Sequence, residues 1–110
     1  MTICIGKTVL TASKHFEEDR KTRLEIIGNN IGFGTAVLAS CVQDTPKGKR
    51  EYLLTDSGIM IIKPIDKDIL ITAYVPNVTQ CQQIYSKSKS RMVMPYWVVR
   101  MVQINQEYFL

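Results

Sequence analysis

Glu51-Tyr-Leu-Leu-Thr-Asp-Ser-Gly-Ile-Met-Ile-Ile-Lys-Pro-Ile-Asp-Lys-Asp-Ile-Leu-Ile-Thr-Ala-Tyr-Val75 is the stretch on which the fold turns. It holds three apolar, β-branched runs: Tyr52 to Thr55, Ile59 to Lys63, and Ile69 to Val75. Asp56-Ser57-Gly58 separates the first two, and Pro64 to Asp68 separates the last two. Short runs of this kind between tight-turn residues predict an antiparallel meander of strands. Their near-continuous apolarity predicts that much of both sheet faces is covered.

Upstream of the meander, Asp44 to Arg50 reads as a polar loop, with Pro46 and Gly48 as breakers. Lys47, Lys49 and Arg50 make it the densest positive cluster in the chain. Ile31 to Asp44 is apolar and rich in alanine, so Thr35 can cap a second helix over Ala36 to Val42; a buried strand is the competing assignment. Further back, Lys14 to Ile27 predicts a first helix, capped by Ser13 or Thr11 and stopped by Gly28-Asn29-Asn30. Met1 to Leu10 reads as a short leading strand or extended arm.

Downstream, Asn77 or Thr79 can cap a helix from Gln80 to Tyr85, and Ser86 to Arg91 is polar and basic. Pro95 can open a final helix, Tyr96 to Gln106, with Trp97, Met101, Ile104 and Tyr108 near one face. Those side chains suit either a core or a contact between protein chains. The expected architecture is therefore α+β. N-terminal helices pack on a three- to four-stranded antiparallel meander, C-terminal helices follow, and residues 1–110 form one domain.

Composition narrows the class. Of 110 residues, 45% are hydrophobic and 22% charged, which are ordinary globular values. A formal net charge of +4 and a pI near 9.1 favour an anionic partner over a cationic one. Cys4, Cys41 and Cys81 are odd in number and widely spaced, which argues against a disulfide framework. With one histidine, they also fail to complete an ordinary zinc ligand set, so neither metal nor cofactor is expected. The N-terminal residues lack a signal-peptide pattern, and no apolar run has membrane-spanning length; a cytoplasmic protein without membrane contact is the expectation.

Two places carry side chains suited to chemistry. In the first predicted helix, at about 100° per residue, Phe16, Leu24 and Ile27 share a face. Arg20 lies between Phe16 and Leu24, Arg23 lies at the edge of the face, and His15 sits further round, beside Asp19. A guanidinium directed toward a core is costly unless it is paired or reaches a wet cleft. The second place is the last strand of the meander. Thr72 and Tyr74, two positions apart, leave one face, while Ile71, Ala73 and Val75 leave the other.

Ser13-Lys14-His15, then Arg20 or Arg23, then a meander ending in Thr72-Ala73-Tyr74 resembles a family of small RNases. It is the metal-independent fold shared by barnase, EndoU, colicin-type and RelE-type toxins. The resemblance runs from Thr11 to about Tyr85, while the first ten residues and the tail from Met92 have no counterpart in it. It implies attack of an RNA 2′-hydroxyl on the adjacent phosphorus, leaving a 2′,3′-cyclic phosphate and a 5′-hydroxyl.

His15 would then be the general base or acid. Arg20 or Arg23 would hold the scissile phosphate, a donor whose removal costs on the order of 100- to 1000-fold in rate. Thr72 and Tyr74 would orient that phosphate. Lys14, Lys47, Lys49 and Arg50 would attract the RNA backbone regardless of sequence. A protein of this kind is expected to have a neutralising antitoxin or immunity partner. The alternatives are a non-catalytic phage or mobile-element protein that binds a host protein or nucleic acid, and a module that homo-oligomerises through its C-terminal segment.

Overall fold

The computed structural model describes residues 2–5, 8–12, 36–88 and 93–109. The predicted first helix, with Lys14, His15, Arg20 and Arg23, lies outside the described residues. Two sheets and two helices make up the described part, an α+β arrangement centred on a four-stranded antiparallel sheet.

The N-terminal ten residues are not a single strand or arm. Thr2–Ile5 (β1) and Thr8–Ala12 (β2) pair antiparallel, Thr2 with Thr11 and Ile5 with Thr8. The next described strand, Val37–Thr45 (β3), settles the assignment left open for Ala36 to Val42 in favour of a strand. Its β-branched and small residues alternate between covered and open positions, the period of a strand with one buried face.

Gly48–Thr55 (β4) pairs with β3 along its whole length, so the expected loop from Asp44 to Arg50 shrinks to the two residues Pro46-Lys47. Pro46 pre-sets the turn, and Gly48 takes a φ of +112°, where side-chain-bearing residues are strained. Thr45 closes the turn: its hydroxyl donates to the Gly48 carbonyl at 2.7 Å and accepts from the Lys47 N–H at 3.3 Å. Polar, basic residues here mark a hairpin tip, and polarity alone does not tell a tip from a long loop.

Met60–Pro64 (β5) follows, as the meander predicts. The third expected strand divides. Ile69–Leu70 (β6) runs parallel to β2 and completes a small sheet of order β1-β2-β6, whereas Thr72–Tyr74 (β7) pairs with β5 and completes the order β3-β4-β5-β7. The chain passes from one sheet to the other at Ile71, whose N–H donates to the Ile62 carbonyl at 2.9 Å. A strand that changes sheets in this way makes the corner of a sandwich.

Each face of the central sheet has its own cover. One face packs Leu53, Ile59, Ile61, Ala73 and Val75 against Ile5, Leu10 and Leu70 of the small sheet. The other packs Ala39, Cys41, Leu54 and Met60 against two helices, Val78–Lys87 (α1) and Tyr96–Phe109 (α2). Asn77 caps α1 with a reciprocal pair: Gln80 N–H to the Asn77 side chain at 2.8 Å, and Asn77 N–H to the Gln80 side chain at 2.9 Å. Helix α1 buries Cys81, Ile84 and Tyr85, the i, i+3, i+4 stripe of an amphipathic helix.

Helix α2 corrects the sequence reading of its faces. Val98 and Val102 are fully buried, Asn105 is buried beside them, and Met101 packs at the edge of the core; Trp97, Ile104 and Tyr108 lie on the exposed side. Polar bonds fix the helix to the sheet. The Asn105 carboxamide donates to the Ser57 carbonyl at 2.9 Å, and the Gln106 carboxamide donates to the carbonyls of Val75 and Pro76. Among the described residues, no helix is long and apolar enough to cross a membrane.

Candidate functional site

Strand register decides which side chains share a surface. In an antiparallel sheet directly paired residues point the same way. The pairs Gln43–Arg50 and Arg50–Pro64 form one row, and Cys41–Tyr52, Tyr52–Ile62 and Ile62–Thr72 form the next. Ala39–Leu54, Leu54–Met60 and Met60–Tyr74 form a third. Thr72, Tyr74, Arg50 and Tyr52 thus belong to a single face, the one that carries the helices. The expected pairing of Thr72 with Tyr74 on one face holds, with Ala73 buried on the other side.

The basic cluster is divided by the same register. Arg50 lies on the Tyr52–Tyr74 face, while Lys49 pairs with Asp44 on the opposite one. Lys47 sits exposed in the turn between the strands. Lys14, His15, Arg20 and Arg23 lie outside the described residues.

Tyr74 is half-buried at the seam between β7 and α1. Its hydroxyl pKa is pushed up to about 12, first by burial and then by the neighbouring Tyr52, Cys81 and Cys41, all of which disfavour a second negative charge. Cys81, fully buried beneath it, is raised to about 12 by burial alone. Cys41 is raised as well, chiefly by burial and against the pull of Gln43 and Lys87. Near neutral pH these groups are therefore uncharged, and the Tyr74 hydroxyl is a hydrogen-bond donor rather than a base.

Beside Tyr74 opens a cleft of about 290 Å³, lined by Gln43, Tyr52, Met60, Ile62, Tyr74, Gln80, Gln83 and Ile84. Its floor is apolar and buried, and its walls carry two phenols and three carboxamides. Gln43, Tyr52, Gln80 and Gln83 were not singled out by sequence reasoning. The signal for Tyr52 was its two-residue spacing from Arg50, which puts both on one face. Gln83 gives no such signal, because an exposed glutamine on an amphipathic helix is ordinary.

A second group of charges lies between the two sheets. The ammonium of Lys63, buried there, donates to the Pro64 carbonyl at 2.8 Å and to Glu51 at 3.4 Å. Among the described residues, no three His, Cys, Asp or Glu side chains gather closely enough to hold a metal ion. Asp56, Asp66 and Asp68 lie exposed at strand turns. Comparison with protein-family models, with curated proteins and with solved structures finds no match to this chain.

Proposed function

We propose that this protein is a metal-independent endoribonuclease of the toxin type. The observation that carries the reading is the shared face of Thr72, Tyr74, Tyr52 and Arg50, set by strand register, at the end of the meander. A hydroxyl, a neutral phenol and a guanidinium on one surface suit a phosphodiester and its neighbouring base.

In the proposed reaction His15 takes the proton of an RNA 2′-hydroxyl. That oxygen bonds to the adjacent phosphorus, the bond from phosphorus to the 5′-oxygen breaks, and a proton returns to the departing 5′-oxygen. Arg20 or Arg23 balances the charge growing on the phosphoryl oxygens. Thr72 and Tyr74 donate hydrogen bonds to the phosphate, a role that the raised Tyr74 pKa supports. Lys14, Lys47, Lys49 and Arg50 attract the RNA backbone. A neutralising protein would cover the cleft beside Tyr74, and a second copy of the chain is proposed for the exposed side of α2.

The test is cleavage of end-labelled total RNA in EDTA. Wild-type protein is expected to release 2′,3′-cyclic phosphate ends, His15→Ala to release none, and Thr72→Val to lose about ten- to a hundredfold in rate, consistent with a lost positioning bond. Equal cleavage by wild type and His15→Ala would remove the assigned catalyst. Absence of cleavage across several RNA classes would replace this reading with the non-catalytic binding protein.

A further inference from the structure

We infer that the cleft between α1 and the central sheet is a nucleobase subsite, built to receive one base next to the phosphate held at Thr72 and Tyr74. The inference rests on the RNA reading for the identity of its ligand, but its evidence is the cleft itself. At about 290 Å³ the space is at the small end of ligand pockets, which span roughly 300–1,000 Å³, and it suits a single planar group rather than a long chain.

The lining has the division of labour that a base requires. Met60, Ile62 and Ile84 give a buried apolar floor, and Tyr52 and Tyr74 contribute aromatic surface on which a base can stack. Gln43 and Gln83 bring carboxamides that both donate and accept, the pattern that matches a Watson–Crick or Hoogsteen edge. The Gln80 carboxamide is already committed to the cap of α1, which leaves its neighbours to do the reading.

Among the described residues, the Gln83 carboxamide and the hydroxyls of Tyr52 and Tyr74 make no hydrogen bond within the protein. Gln43 makes only a long contact of 3.9 Å to the Cys41 sulfur. No charged side chain lines the cleft, so it favours a neutral, flat, hydrogen-bonding group over a phosphate or an ion. Its place is also right. Tyr74 is shared between cleft and strand, and Thr72 lies two residues along on the same face, so a base in the cleft has its own phosphate within reach of the Thr72 row.

The experiment is a titration of the isotopically labelled full chain with the 3′-monophosphates of adenosine, guanosine, cytidine and uridine, followed through the side-chain amide signals of glutamine. One nucleotide is expected to shift Gln43 and Gln83 strongly, and Gln83→Ala, an exposed helical position that the fold does not need, is expected to weaken its affinity about tenfold. Inorganic phosphate alone is expected to leave both signals in place. Glutamine signals unmoved by all four nucleotides, or moved equally by phosphate, would overturn the subsite.

Cleavage assays separate this inference from the one beneath it. Selective shifts in a protein that cleaves no RNA would sink the RNase and keep the base site. Cleavage whose base preference survives Gln83→Ala and Tyr52→Phe would sink the base site and keep the RNase.

Discussion

Gly58 shows how much of this fold rests on one residue without a side chain. It takes a φ of +82° in the turn between β4 and β5, and a Cβ built there would lie 2.5 Å from the Asn105 carboxamide nitrogen. That nitrogen is the one that ties α2 to the Ser57 carbonyl, so the turn cannot yield without loosening the helix. The left-handed backbone costs a substituted residue about 1–2 kcal/mol, and crowding a packed site adds roughly 1–3 kcal/mol. Gly58→Ala is therefore expected to lower the thermal midpoint by about 10 °C or more. Calorimetry against Gly48→Ala separates the two costs, since Gly48 also has a positive φ but nothing within 4 Å of its would-be Cβ. Equal losses at the two positions would show that backbone strain alone matters. Sequence reading identified Gly58 as a turn residue, but not its contact with a helix forty-seven positions later, because a turn motif is local and the contact is not. The same limit applied at the site. Thr72-x-Tyr74 was legible from the two-residue period of a strand, whereas the Gln83 wall became visible only when α1 was laid over β4, β5 and β7.

At the level of elements, the seam between β7 and α1 contributes to how stability depends on pH. Cys81 and Tyr74 both have folded pKa values near 12, raised by burial, while in the unfolded chain they return to about 8.5 and 10. A raised acid pKa means that the folded state holds its proton more tightly. Its stabilisation is complete below the unfolded value and is lost as pH climbs from there toward 12. Urea midpoints are thus expected to be flat near pH 7–8 and to fall from about pH 9 upward, with Cys81→Ala reducing the slope between pH 9 and 10. An unchanged slope in that variant would show that the loss comes from elsewhere. Native Cys41 and Cys81 are also expected to react slowly with a thiol reagent, since both are buried and neutral. The elements themselves were legible in proportion to how local their signals are. A helix cap at Asn77 or Thr79 and the β4–β5 turn were legible within a few residues, and the structure selects Asn77. The split of Ile69 to Val75 does not, because nothing in that apolar run tells Leu70 that its partner is Ala12 while Thr72 pairs with Ile62. The strand at Val37 to Thr45 was ambiguous for a related reason. A short apolar run takes whichever structure its tertiary neighbours complete.

At the scale of the molecule, the described residues place much of their exposed apolar surface on one helix. The formal charge of +4 includes exposed Lys47 and Lys49 near the β3–β4 tip, while the largest exposed apolar groups gather on and before α2. Val93 is 91% exposed, Tyr96 77% and Trp97 53%, and Ile104 is also open, a combination that points to a protein contact more than to solvent. Arg100 and Glu107, both exposed, are seven residues apart on this helix, which returns them to the same side after about two turns. In the homodimer proposed for this face, two copies of α2 crossing antiparallel about a two-fold axis near Gln103 and Ile104 would set each Arg100, which donates to Gln103 of its own chain at 3.3 Å, against the other copy's Glu107. That self-complementarity is the reason a second copy is proposed for this face. Light scattering is expected to report twice the 12.5 kDa chain mass at high concentration and a shift to monomer on dilution. Glu107→Arg alone places like charges together and is expected to give monomer at every concentration. Combining it with Arg100→Glu restores the opposite pairs and is expected to restore the dimer. A mass of 12.5 kDa for the wild-type chain throughout, or a dimer that Glu107→Arg leaves intact, would sink the antiparallel pairing and leave the α2 face to a different protein. Because every substitution in the set lies at exposed helical positions, each variant is expected to keep the wild-type thermal midpoint of the monomer, so a change in mass reports the interface and not the fold.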